Sequence, residues 1–329
     1  MSRNRDRLVG VGLGAGLLGA AYLALKYTIR PPTKERVPDS ISPAIFATKV
    51  MHTTQGAIVY HESGSGTPLL FLHQAGIGAS SYEWSKVYPR FAATHRVLAP
   101  DLIGFGESER PATAMTAMDY TRSLAEFLRA TCDGPAVVIG SGLGGGFAVL
   151  LASQHPELIE RLILVAPTGL EEFGASRLPL RTRVVSRTPM LNRFLYRNHK
   201  ATRAAVRAFL INTCFANPAR LTDEAVEIHT SCAQQPGAEF AIINMESGRL
   251  SFDIESRLKS LVQPVSFLWG DRTLFPPLEW AYRFQTLPAN STLSILPECG
   301  TLAALENPEL VAGTIDEQLR PDLRIFRAS

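Results

Sequence analysis

The feature that most constrains this chain is a regular alternation of two patterns. Short strand candidates at Leu69–Leu72, Arg96–Ala99, Ala136–Ile139, Leu162–Val165, Val265–Trp269 and Thr292–Leu296, several of them continuous apolar runs, alternate with longer amphipathic stretches such as Asp119–Ala130 and Phe147–Gln154. A run apolar at every position is a strand buried on both faces, which implies a parallel sheet covered by helices on each side. The chain is 329 residues long and 46% hydrophobic, enough for one large core with an insertion. The strand pattern stops between Pro167 and Leu261, where the segment is mainly helical and punctuated by Pro179, Pro189, Pro218 and Pro236. The expected layout is therefore an α/β core over residues 44–167 and 261–329, with a helical cap over 168–260.

A different pattern precedes the core. Leu8–Leu25 is an eighteen-residue run without a charge, preceded by Arg3, Arg5 and Arg7 and ended by Lys26. That length is at the short end for a membrane-spanning helix. No small-x-small cleavage site follows it, so the expectation is an uncleaved single-pass anchor over residues 1–29, with residues 30–43 as a proline-rich linker. Basic residues flank both ends about equally, so orientation stays open, with the cytoplasmic side favoured for the core. The run also contains Gly14-x-Gly16-x-x-Gly19, a literal dinucleotide fingerprint. That fingerprint needs a strand before it and a strand–helix–strand unit around it, and neither is present.

Composition excludes other classes. Net charge is only +3, and the arginines from Arg177 to Arg207 are spread along a helical pattern, so nucleic acid is not an expected partner. Cys132, Cys214, Cys232 and Cys299 are scattered, no CxxC pair occurs, and no histidine pair has metal-ligand spacing on one helix face. Neither a metal nor a cofactor is expected.

Four motifs, in order, carry a resemblance. They are Phe71-Leu72-His73-Gln74-Ala75-Gly76 followed by Ser80-Ser81-Tyr82-Glu83-Trp84; Asp101-Leu102-Ile103-Gly104-Phe105-Gly106-Glu107-Ser108; Gly140-Ser141-Gly142-Leu143-Gly144; and the region from Pro264 to Pro308. Together they resemble the α/β-hydrolase superfamily across about residues 45–320. The resemblance implies a mostly parallel central sheet with helices on both faces and an inserted helical cap. It also implies an oxyanion loop at His73, Gln74, Ala75 and Gly76, with Leu143 supplying a backbone N–H.

The three triad positions depart from that family's pattern. Anchored on Gly140 and Gly144, the nucleophile position of G-x-S-x-G is Gly142. The acid position after Gly270-Asp271-Arg272 is Thr273, although some members place the acid after an earlier strand, near Glu171 or Glu172 here. The base position after Gly300 is Thr301, in register with Glu306-Asn307-Pro308. Glycine offers no nucleophile, and a threonine hydroxyl is no base near neutral pH. The expectation is a membrane-anchored pseudoenzyme with a degenerate triad, whose cleft binds a small apolar ligand or a membrane-protein partner. The alternative is an active hydrolase of esters, amides or related bonds using Ser141, Cys299 or His73. Each of these has a plainer role: Ser141 as a packed helix cap, Cys299 as a buried small hydrophobe, and His73 as a structural hydrogen-bonding group.

Overall fold

The computed structural model describes residues 43, 45–171 and 189–320. Eight strands form one sheet in the order β1-β2-β4-β3-β5-β6-β7-β8. The strands are β1 (Ala47–Thr53), β2 (Gly56–Ser63), β3 (Pro68–Leu72), β4 (Arg96–Pro100), β5 (Ala136–Ser141), β6 (Ile159–Val165), β7 (Val265–Gly270) and β8 (Ser291–Leu296). Pairing is parallel from β4 through β8 and antiparallel for β1–β2 and β2–β4. Each of the six strand candidates lies in a strand, and β5 and β7 are buried at every residue.

The hairpin β1–β2 has no such signature in the sequence. β1 is an edge strand exposed along most of its length. Its two-residue turn is held by a distant group: the Thr54 N–H and hydroxyl donate to the Glu126 carboxylate at 2.7 and 2.6 Å. Glu126 lies on helix α1 (Ala117–Thr131), whose first turn is closed by the Thr116 N–H donating to Asp119 at 2.9 Å. A turn fixed by tertiary contact needs no Asn-Gly signal.

Helix α2 (Gly142–Gln154) runs down from the end of β5 and is buried along nearly all its length. Two apolar clusters pack on opposite faces of the sheet. One gathers α1, α2 and the helices of the insertion around Tyr120, Phe147, Phe267 and Trp269. The other joins Phe71, Trp84, Tyr88 and Phe91 to Val311 and Ile315 of the C-terminal helix Pro308–Leu319.

Between β6 and β7 the described residues are helical: α3 (Pro189–Leu195), α4 (Arg203–Phe209), α5 (Asp223–Gln234), α6 (Ala238–Glu246) and α7 (Ile254–Lys259). Thr202, Thr222 and Asp253 cap α4, α5 and α7, each accepting an N–H three residues on. Helix α7 packs directly on α2, so the last turns of the insertion join the core layer. The expected membrane helix at residues 8–25, and residues 30–42 of the expected linker, lie outside the described residues. Among the described residues no helix is long and apolar enough to cross a membrane.

Candidate active site

The C-terminal ends of parallel strands are where open α/β sheets bind ligands, and the candidate site lies there. Strand β5 ends at Ser141 and turns into α2 through Gly142, whose φ is +49°. That left-handed conformation strains any residue with a Cβ. Two residues on, a Cβ at Gly144 would lie 2.1 Å from the His73 carbonyl oxygen, so the helix can approach the loop after β3 only with glycine there. Both glycines therefore preserve the strand–turn–helix elbow expected from the sequence.

Above the elbow is a cavity of about 500 Å³. Its floor is Gln74, Ala75, Gly76, Gly142 and Leu143; its walls include Thr168 and Leu170 after β6, Phe275 and Pro276 after β7, and Thr301 after β8. Its roof comes from the insertion: Phe209, Thr213, Cys214, Met245 and Glu246. The lining is mostly apolar. Leu143 lines the cavity, and its N–H belongs to the first turn of α2, where no intrahelical acceptor exists.

The structure brings two of the three triad positions together and separates the third. Gly142 and Thr301 line the same cavity. The Thr301 hydroxyl makes only long contacts, 3.3 Å to the Phe275 carbonyl and 3.4 Å to that of Thr213. Its loop is in register because buried Glu306 accepts the N–H groups of Gly300, Ala216 and Asn217 at 2.7, 3.1 and 2.6 Å. Thr273 is buried in the wall of a neighbouring, more open cavity with Asp271 and Glu298, and its hydroxyl has no hydrogen-bond partner. Glu171, the earlier-strand alternative for the acid, is exposed; Glu172 lies outside the described residues.

The three alternative candidates separate clearly. His73 is fully buried, and both ring nitrogens are engaged: Nε2 accepts the Leu102 N–H at 2.9 Å, so Nδ1 carries the proton donated to the Gln74 carbonyl at 2.7 Å. Burial holds its pKa below the ordinary value. It positions the loop and is not a base facing the cavity. Cys299 packs in the second apolar cluster, away from the cavity, and burial pushes its thiol up to about 11. Both are corrected as rescue candidates. Ser141 is different. It is buried beside the elbow, and its hydroxyl donates to Glu83 Oε1 at 2.5 Å.

Glu83 lies in the Ser80–Trp84 segment, where its residue type alone points to no role. Its Oε2 accepts the Gln74 N–H at 2.8 Å, so one buried carboxylate ties the loop after β3 to the elbow. Burial pushes it up to about 7, against the lowering effect of its hydrogen bonds with Ser141 and Gln74. Only its burial, invisible in one sequence, marks it as a functional group. Cys214 was likewise visible only as one of four cysteines. It lines the cavity beside Gln74, and burial reinforced by the Glu83 charge pushes its thiol up to about 12.

Gln74 fills the space left by the elbow. A Cβ at Gly142 would lie 3.0 Å from Gln74 Cβ and 3.5 Å from its Oε1. The long side chain and the missing one are thus complementary.

Outside the cavity, His61, Asp101 and Glu107 bring potential ligand atoms within 4.8 Å of one another. Asp101 already accepts the Ser81 and Glu107 N–H groups at 2.6 Å each, which accounts for its place in the loop after β4.

A family model described as the alpha/beta hydrolase fold matches residues 67–308. The chain belongs to the α/β-hydrolase family. It is 29% identical over 255 residues to the 2-hydroxy-6-oxo-6-(2'-aminophenyl)hexa-2,4-dienoic acid hydrolase of Metapseudomonas resinovorans, covering 76% of this chain and 83% of that one. It is 40% identical over 112 residues to a 2-hydroxymuconate semialdehyde hydrolase of Pseudomonas sp. (strain CF600), covering 33% of this chain and 40% of the other. Among solved structures, a serine hydrolase involved in carbazole degradation superposes with a TM-score of 0.69 at 24% identity, covering 84% of this chain and all of that one. These relatives are named as hydrolases, which corrects the expectation of a pseudoenzyme.

Proposed function

We propose that this chain is a hydrolase of small, largely apolar carbonyl compounds, working with groups other than a serine at the elbow tip. The substrate class is an ester, an amide or a carbon–carbon bond next to a carbonyl, as in the oxo-dienoic acids of the relatives' names. The observation that carries this reading is the Ser141–Glu83 contact of 2.5 Å directly beneath the cavity floor. It pairs a hydroxyl with a carboxylate poised near neutral pH, the arrangement general-base chemistry needs. The Leu143 N–H supports an oxyanion at the same floor, and the apolar walls favour an apolar substrate in a site roofed by the insertion.

The test is turnover of p-nitrophenyl butyrate and of a 2-hydroxy-6-oxo-dienoic acid by the full chain. Activity is expected, sensitive to Ser141→Ala and Glu83→Gln and unaffected by Cys299→Ser. Silence on both substrates at high enzyme concentration would sink the reading. Loss of activity in the Cys299 variant alone would move the chemistry to the other face of the sheet.

A further inference from the structure

The elbow suggests how hydrolysis proceeds without a tip hydroxyl, an inference that rests on the hydrolase reading. We infer that water is the nucleophile, held at the elbow by the Gln74 side-chain amide, and that its proton passes through the Ser141 hydroxyl to Glu83. Three observations converge. Gln74 Oε1 lies 3.5 Å from where a Gly142 Cβ would be, so an amide acceptor stands where the family's nucleophilic hydroxyl would reach. Gln74 is fixed from below, because its N–H donates to Glu83 Oε2 at 2.8 Å. Ser141, the residue before the tip, donates to the other oxygen of the same carboxylate at 2.5 Å.

The step balances without a further reactant. The water oxygen forms a bond to the carbonyl carbon as the C=O pair moves onto oxygen, facing the Leu143 N–H. The water proton moves to Ser141 Oγ while the Ser141 proton moves to Glu83 Oε1. Collapse restores the C=O bond and breaks the bond to the leaving group, which takes the proton back along the same path. No acyl-enzyme forms, and Ser141 is a relay.

The groups around Glu83 favour proton uptake there. The Cys214 thiol faces it and stays protonated, as its pKa is pushed up to about 12. Glu306 comes from the Ala303–Glu306 helix packed on the turn carrying Glu83, and is itself held by three N–H groups. Asp101 accepts the neighbouring Ser81 N–H. Burial then places the Glu83 transition near pH 7.

The experiment is pre-steady-state hydrolysis of p-nitrophenyl butyrate by the full chain, with intact-mass spectrometry of the quenched enzyme and a kcat profile from pH 5 to 9. The expected result is no burst, no adduct of acyl mass, and kcat rising with pH through about 7. Glu83→Gln should flatten that limb and lower kcat about 100-fold. Gln74→Ala should lower kcat by a similar factor with a smaller change in KM. A burst with an acyl adduct on Ser141 would overturn the water mechanism and leave the hydrolase reading standing. A kcat independent of pH between 6 and 8 in the unmodified protein would overturn the role of Glu83, whether or not the Glu83 variant folds. Absence of turnover would overturn both readings together.

Discussion

Gly142 and Gln74 are complementary halves of one contact: the Cβ that Gly142 lacks would lie 3.0 Å from the Cβ of Gln74. That distance is tighter than ordinary side-chain packing, and the glycine is also in the left-handed region at φ +49°. Restoring a side chain at the elbow therefore meets two obstacles, one in the backbone and one in the neighbouring loop.

The first prediction is a coupling. Gly142→Ala should cost on the order of 1–2 kcal/mol from backbone strain, with more added by the contact. Combined with Gln74→Gly, the contact part should vanish, leaving a favourable interaction of about 1 kcal/mol in a double-mutant cycle of denaturant unfolding. Strict additivity of the two changes would show that Gln74 moves aside freely.

Glu83 should leave a signature in stability as a function of pH. Its folded pKa, near 7, lies above the ordinary carboxylate value of 4.5, so the folded state binds this proton more tightly than the unfolded chain. The resulting stabilisation is fully present below about pH 4.5 and is lost as pH rises through about 7, on the order of 3 kcal/mol. Glu83→Gln should remove this component, so that above pH 7.5 the variant equals or exceeds the parent in Tm. A variant with the parent's slope between pH 5 and 7.5 would assign the titration to another group.

His73 should behave as a structural residue. His73→Ala leaves the Leu102 N–H without its buried acceptor and frees the Gln74 carbonyl. The cost should be about 1–3 kcal/mol in unfolding free energy. Its pKa is depressed in the fold, so its own contribution is present above about pH 6.5 and declines as pH falls below that, opposite in sign to that of Glu83. A change in Tm below 1 °C would contradict the two-bond geometry.

Gly144→Ala should be among the most destabilising single-methyl additions in the core. The new Cβ would sit 2.1 Å from the His73 carbonyl oxygen, backbone that cannot rotate away. A loss on the order of 3 kcal/mol is expected, read as a shift in denaturation midpoint. Tolerance of this change would mean that α2 is not seated against the loop after β3.

Six of the eight strands, helices α1 and α2, and the elbow with its two glycines were legible in the sequence, because apolar runs, amphipathic periods and glycine spacing are local signals. So was the register of Gly300 with Glu306, which fixed Thr301 in its place. The β1–β2 hairpin was not, since its exposed edge lacks an apolar run and its turn is held by Glu126 from another element. The role of Glu83 was not legible either. Nothing in Tyr82-Glu83-Trp84 says that the carboxyl is dry, and only the packing of β5, the oxyanion loop and the Ala303–Glu306 helix around it raises its pKa. The same packing decided among the candidates: Cys299 went to the far face of the sheet, His73 had both nitrogens engaged, and Ser141 received a carboxylate partner. Sequence determines which residues stand at each station of the chain. Which of them share a cavity, a proton or a hydrogen bond is set by burial and by contacts between distant segments, and those exist only once the chain has folded.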